Sequence, residues 1–403
     1  MITFEISGEL ELFQGTAREF AQTLLRPAGR AAEESGALPA GLREAYLSLG
    51  FAGLALPEGV GGLGQGLGAQ VIVEEELAAG DLPLTLAMPG PGAFGVLLLA
   101  LGNEAQAERI LRPMLERGGR GAVAWVDQKP RVGTFAATAV EAPDGSLRLN
   151  GKKTEVRLGG QAEHLLVLVR LESKDGAVRP AALVVPSAAD TRPSGLRFSE
   201  ASPGLAFGAA KVVTATFEDV VLPKEAQLSR ADRSLEVGLF DAVGRLSVIS
   251  AARSVGLARA AAEHARAYAA DRQAFGKPIA HFQAIAFLIA DLMTRVEVMR
   301  GLVQRAAFAF DHQEPDAVRR AAYAIAEAHE GAMVVTNQAV QVLGGAGFVQ
   351  DYPVEKWMRE AKAHMASVMP HAVADLLVGR LALEGALTLA EDAPMPELQS
   401  IWL

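Results

Sequence analysis

Apolar residues recur at three- and four-residue spacing over residues 10–25, 42–49, 70–79 and 105–115, a pattern that predicts amphipathic helices. Gly- and Pro-rich stretches separate them, notably residues 57–68. From residue 121 the texture changes. Residues 121–126, 136–141, 146–149, 164–171, 181–185 and 211–217 are short runs, apolar or alternating, as strands are. Asp144 with Gly145 and Asn150 with Gly151 punctuate them as turns. From Ser234 four long helical segments follow, at about 234–271, 279–311, 315–342 and 353–384. The stripe Ile285, Leu288, Ile289, Leu292, Val296 and Met299 suits a helix bundle. The order helices, strands, helices predicts an α+β chain. Residues 1–120 form an N-terminal helical domain, 121–229 a small β-domain, 230–390 a C-terminal four-helix bundle and 391–403 an extended tail.

Composition narrows the chemistry. A chain of 403 residues, half of them hydrophobic, can build a large core in two or three domains. A net charge of −9 argues against a nucleic-acid or anionic-membrane surface. The absence of cysteine removes disulfides, thiolate catalysis and cysteine metal sites. No uncharged apolar run reaches the roughly 20 residues that span a bilayer. The longest candidate, residues 82–101, is interrupted by Pro83, Pro89 and Pro91. No basic region followed by an apolar core opens the chain, so the expectation is cytoplasmic, without membrane insertion.

Several local patterns have ordinary readings. Gly59, Gly61 and Gly64 fit a dinucleotide fingerprint. That fingerprint needs a preceding strand, whereas a helical segment and Pro57 precede this match, so a surface loop is expected. His281 reads as packing or capping, and the seven histidines lack metal-ligand spacing. Arg272, followed by Phe275 and Gly276, taken alone reads as the basic end of a helix with a glycine cap. Its planar fork also suits a diphosphate. Gly344, Gly345 and Gly347 would let backbone approach a ligand closely.

Taken together these pieces resemble the acyl-CoA dehydrogenase family over nearly the whole chain. Pro57, Glu58, Gly61 and Gly62, with Glu75, Glu76, Leu77 and Ala78, look like its first helical domain. Phe217, Glu218, Asp219 and Pro223 look like the exit from its β-domain. Tyr268, Asp271, Arg272, Phe275, Gly276 and Gln283, then Gln341, Gly344, Gly345 and Gly347, resemble its C-terminal signature. The resemblance implies FAD bound between the β-domain and the C-terminal helices. Arg272, Phe275, Gln283, Gln341, Gly344 and Gly345 would then clamp the cofactor of a neighbouring protomer. An acyl-CoA substrate and an electron-transfer flavoprotein or another acceptor are implied as partners.

Three departures from the family pattern matter. The loop that backs the flavin corresponds to residues 126–134 and is shorter. Glu155 and Arg157 stand where the family has a Trp and a hydroxyl residue. Val368, Met369 and Pro370 replace the family's Glu-Gly-Thr, whose Glu is the catalytic base. The alternative base position of a few branches holds Leu246, beside Ser247, where many members have Arg. Asp241 and His371 are the nearest titratable residues in sequence. Abstraction of a thioester α-proton needs a positioned carboxylate, so the expected role is acyl-CoA dehydrogenation shared with a base-bearing chain in a hetero-oligomer. The alternatives are a homo-oligomeric flavin oxidase or monooxygenase, or a non-catalytic scaffold on the inherited fold.

Overall fold

The computed structural model describes residues 8–128, 135–202 and 204–384. Helices α1 (Gly8–Phe20), α2 (Arg26–Ser35), α3 (Leu42–Ser48), α4 (Gly66–Gly80), α5 (Leu82–Ala87), α6 (Gly92–Leu101) and α7 (Glu104–Arg117) come first. A π-helical turn, Ala21–Leu25, joins α1 to α2. The interrupted apolar run folds as α5, which is almost wholly buried, and α6, which buries Phe94, Leu97, Leu98 and Leu101. Pro83 sits in the first turn of α5, where its missing N–H is not required, and Asp81 caps that helix. Asn103 and Gln106 form a reciprocal capping box on α7.

The sheet comprises β1 (Gly121–Ala124), β2 (Val126–Asp127), β3 (Thr138–Glu141), β4 (Leu147–Arg157), β5 (His164–Glu172), β6 (Val178–Pro186), β7 (Leu196–Phe198) and β8 (Val212–Leu222). Its path runs β1-β5-β3-β4-β8-β7, with β2 added to β4 and β6 to β5. β1 and β3 are parallel to β5, and the other pairs are antiparallel. Asp144 and Gly145 turn the chain between β3 and β4, as the sequence predicts. Asn150 and Gly151 do not turn it. They lie inside β4 at a bulge, where Gly151 has φ +137 and a Cβ would come 2.8 Å from Ala137 Cα.

β5 is buried on both faces, which fixes how the layers meet. Leu166 and Leu168 pack into the helical core, whereas Leu165, Val167, Val169 and Leu171 pack into a second core within the strands.

The C-terminal half holds α8 (Leu235–Asp271), the short strands β9 (Gln273–Ala274) and β10 (Lys277–Pro278), then α9 (Gln283–Asp311), α10 (Ala317–Leu343), α11 (Val354–His364) and α12 (His371–Glu384). α8, about 55 Å long at 1.5 Å per residue, packs on α4, α6, α9, α10 and α11. Gly256 permits its closest approach, since a Cβ there would sit 2.1 Å from Glu75 O on α4. Ion pairs flank that crossing: Arg253 to Glu74 at 2.7 Å, Arg259 to Glu76 at 2.6 Å and Arg300 to Glu75 at 2.8 Å. The last expected helix is instead two, broken over residues 365–370. Pro370 lacks an N–H and disfavours helical backbone at the residue before it, and Val368 turns left-handed at φ +53. Gly59, Gly61 and Gly64 lie in a 3-10 turn and surface loop, as expected. Gly276 does not cap α8. The cap residue is Arg272, and Gly276, at φ +81, closes the β9–β10 hairpin. Residues 129–134 and the tail at 391–403 lie outside the described residues.

Candidate active site

A cleft of about 1780 Å³ opens between the strands and the helical layers. One wall carries Trp125, Val126 and Phe135, Thr154, Glu155 and Arg157 of β4, and Leu158 just beyond it. The other carries Arg253 of α8, His364 of α11, and Ser367 and Val368 of the break that follows. Ala201, Ser202, residues 204–208 with Phe207 among them, and residues 210–212 also line the cleft. Four of the seven described non-glycine residues with positive φ line this cleft: Glu155 (56), Leu158 (55), Phe207 (65) and Val368 (53). Each such conformation costs free energy that the surroundings must offset, and such residues concentrate at functional sites.

The strand wall is held from behind. Lys153 is fully buried with its ammonium 2.8 Å from Asp127. Burial pulls the Lys153 amine down to about 8, with Asp127 opposing. Asp127 also accepts backbone hydrogen bonds from Ala136 and Ala137, at 3.0 and 3.1 Å. The register shift between Lys153 and Val156 then sets the facing of the next residues. Glu155 is exposed, whereas Arg157 is half-buried and lines the cleft. The Arg157 guanidinium lies 4.8 Å from the Phe207 ring centre and donates to Ala210 O at 3.1 Å. Burial and the neighbouring Arg253 pull it down to about 10.

The helical wall is polar, and Val368 itself brings no carboxylate to it. His364 Nε2 lies 3.1 Å from Ser250 Oγ, and His364 Nδ1 lies 3.1 Å from Ser367 Oγ. Burial, then His329, Arg253 and Arg157, keep the His364 imidazole neutral, well below its ordinary range. His329, edge-on to His364 at 5.7 Å, is buried with no described partner on either nitrogen, and burial lowers it to about 3. Val368 presents hydrocarbon to the cleft. Leu246 is buried and does not line it, and Ser247 Oγ is spent on Val243 O at 2.7 Å. Asp241 and His371 stand apart from the lining as well. Asp241 pairs with Arg245 at 3.1 Å, and His371 with Asp375 at 3.3 Å.

The six residues of the expected clamp stand outside this cleft. Arg272, Phe275, Gln283, Gln341, Gly344 and Gly345 are all exposed, and none lines the cleft of its own chain. Phe275, at φ +51 in the hairpin turn, is 96% exposed, as far out as a side chain can reach. Gly344 ends α10 at φ +60, and a Cβ on Gly344 or Gly345 would meet nothing within 4 Å. His281 is likewise exposed at the end of a 3-10 turn.

Glu74, Arg253, Phe207 and His364 line the cleft without having been singled out by sequence. A signal existed for two of them. Arg253 is a lone cation among the Ala, Ser, Val and Gly residues of 247–258, and His364 continues the buried stripe of Trp357 and Ala361 at helical spacing.

Comparison with known proteins extends this picture. Residues 7–117 match the family model described as acyl-CoA dehydrogenase, N-terminal domain, and residues 242–367 match that of acyl-CoA dehydrogenase, C-terminal domain. The caffeyl-CoA reductase-Etf complex subunit CarC of Acetobacterium woodii is 31% identical, over 88% of this chain and 93% of its own. The short-chain specific acyl-CoA dehydrogenase of Megasphaera elsdenii is 30% identical, over 89% and 94%. Among solved structures, butyryl-CoA dehydrogenase from Megasphaera elsdenii superposes with a TM-score of 0.86 at 26% identity, covering 95% of this chain and all of that one. A glutaryl-coenzyme A dehydrogenase in complex with glutaryl-CoA gives 0.85, also at 26%, over 95% and 97%. No described helix is long and apolar enough to cross a membrane.

Proposed function

Because the chain belongs to the acyl-CoA dehydrogenase family of oxidoreductases, we propose that it takes part in FAD-dependent α,β-dehydrogenation of an acyl-CoA thioester and shares that reaction with a base-bearing partner chain. The observation that carries this reading is Val368, whose hydrocarbon side chain stands on the cleft wall where the family resemblance puts the catalytic carboxylate. The reaction removes one α-proton and one β-hydride. A bound FAD supplies the two-electron acceptor.

The residues of this chain fit a flavin in two ways. The cleft is large, walled by Trp125 and Phe135 on the strand side, and reaches the surface. The backbone at Gly344 and Gly345 is open, without a Cβ or a neighbour to block a diphosphate. Arg272, Phe275, Gln283, Gln341, Gly344 and Gly345 face outward, where they would serve a flavin held by a neighbouring similar chain. None of this chain's candidate replacements suits the proton. Asp241 and His371 lie off the cleft, and His364 is a weak base tied to two serines. Proton abstraction therefore falls to the partner chain, and reoxidation to an electron-transfer flavoprotein or similar acceptor.

The test is the visible absorption spectrum of the chain purified alone and after co-expression with a homologue that carries Glu at the position of Val368. A colourless chain that becomes yellow and active only in the complex is the expected result. Flavin bound stoichiometrically by the chain alone, with turnover, would sink the shared-site reading. A colourless complex would leave a scaffold.

A further inference from the structure

We propose that the Tyr46 hydroxyl makes the cleft selective for an acyl group that carries a neutral hydroxyl. The inference names a substrate class within the proposed acyl-CoA dehydrogenation and rests on that reading.

Tyr46 lies one turn after Leu42 on the buried face of α3, and it lines the cleft. Its ring packs against Phe20 and Phe51, with ring centres 6.1 and 6.3 Å away. Only 7% of the residue is exposed, yet its hydroxyl has no hydrogen-bond partner among the described residues. Buried polar groups are almost always paired, so an unpaired one on a cleft wall is a place for a ligand to supply the partner. Burial, then Glu74, push the phenol above its ordinary range, with Arg253 opposing. It therefore stays an O–H donor at any ordinary pH.

The surroundings favour a neutral ligand. The charged groups that act on Tyr46 are Glu74 and Arg253, and these two are matched. Glu74 accepts from Arg253 Nε at 2.7 Å and from Nη2 at 3.0 Å. A matched pair leaves no charge there for an ionised ligand to balance. Gln70, which also lines the cleft, donates Nε2 to Glu74 Oε1 at 2.8 Å. A carboxylate only accepts, which fixes the orientation of that amide and leaves Gln70 Oε1 as an acceptor without a described donor. The groups gathered around Glu74 thus offer one O–H donor and one acceptor. A hydroxyl both donates and accepts, and so suits them better than a carbonyl or an ether oxygen, which only accepts. Phe51 lines the cleft as well, and such apolar surface strengthens a hydrogen bond made beside it.

The structural alternative is that Tyr46 only packs against Phe20 and Phe51, with its hydroxyl wetted by solvent. Tyr46→Phe keeps the ring and removes the oxygen, so it separates the two roles. The probes are 4-hydroxybutyryl-CoA, 6-hydroxyhexanoyl-CoA and 8-hydroxyoctanoyl-CoA, each against the plain thioester of the same length. Isothermal titration of each pair into the flavin-loaded protein, with its partner chain where the two copurify, gives the preference directly. At the length that reaches Tyr46, the hydroxylated thioester should bind about tenfold more tightly, because the plain chain dries the phenol without pairing it. In Tyr46→Phe that preference should vanish, the hydroxylated thioester losing affinity and the plain one gaining it, with the melting temperature confirming that the variant folds. Equal binding within every pair by the parent protein, or a preference that Tyr46→Phe retains, overturns the proposal. If no thioester binds at all, the acyl-CoA reading falls and this inference falls with it.

Discussion

The Lys356 ammonium lies 2.6 Å from Asp81 Oδ2, tying α11 to the start of α5 across 275 positions of sequence. The other oxygen of Asp81 caps α5 through Leu84 N at 2.9 Å, and Glu360 completes the cluster on the far side of Lys356. All three side chains are buried. Removing the cation would leave the Asp81 carboxylate buried beside the Glu360 carboxyl without a counter-charge, so Lys356→Met should cost about 3–5 kcal/mol of folding stability. Urea unfolding of the parent and the variant measures it.

Glu360 sets a dependence on pH within the same cluster. Burial pushes its carboxyl up to about 8, with Lys356 opposing and Asp81 adding to the rise. A carboxyl raised above its unfolded value favours the folded state most while protonated. That contribution is complete below the unfolded value near 4.5 and is lost as pH climbs through the folded one. Glu360→Gln should therefore flatten the loss of stability between about pH 4.5 and pH 8. Melting curves across that range that remain parallel to those of the parent would contradict it.

The two buried imidazoles give the opposite sign. His329, near 3, and His364, well below 6.5, stay neutral in the fold, while both protonate in the unfolded chain as pH drops below about 6.5. Their stabilising contribution is thus present above that value and lost in acid. For His329 the loss between pH 6.5 and pH 5 is about 2 kcal/mol, at about 1.4 kcal/mol per unit. His329→Leu should remove that share of the acid sensitivity and leave stability at pH 7 little changed, because neither ring nitrogen has a described partner to lose. Denaturant titrations at pH 5.0, 6.0 and 7.0 supply the comparison.

Gly344 and Gly345 make a paired test of backbone against ligand. Both have empty space where a Cβ would go, but only Gly344 has a positive φ, with ψ at −131. Gly344→Ala should lose about 1–3 kcal/mol from strain alone, whereas Gly345→Ala should stay within about 0.5 kcal/mol of the parent. If these glycines serve a neighbouring chain's cofactor, Gly345→Ala should lower flavin occupancy of the complex without lowering its melting temperature. A fall in both by similar degrees would point to a packing role instead.

Much of the fold could be read from periodicity, because long amphipathic helices and alternating strands bury one face regardless of detail. The register of α8, α9 and α10 follows from such stripes. Periodicity failed where local chemistry and packing compete. Residues 82–101 looked interrupted, yet Pro83 falls in a first turn, where its missing donor has no cost. Asn150 and Gly151 have the composition of a hairpin turn, but the close passage of Ala137 converts them into a bulge. The break before α12 was written in Pro370, whose influence on the residues before it competed with strong helical spacing on either side. At the site, Val368 and Arg157, which the sequence singles out, both line the cleft. It could not show that Glu74 would neutralise Arg253, since those residues meet only when α4 crosses α8.

The carboxylate of Asp127 reaches forward to the amides of Ala136 and Ala137 while its charge is met by Lys153 from the adjoining strand. One residue thereby holds both ends of the intervening segment at a fixed separation. Whatever lies between those ends can be lengthened, shortened or replaced without transmitting the change to the strand order behind it. The two flanks act in this sense as a socket of fixed span, and a longer segment grafted from a relative between residues 128 and 135 should leave the melting temperature of the frame little changed.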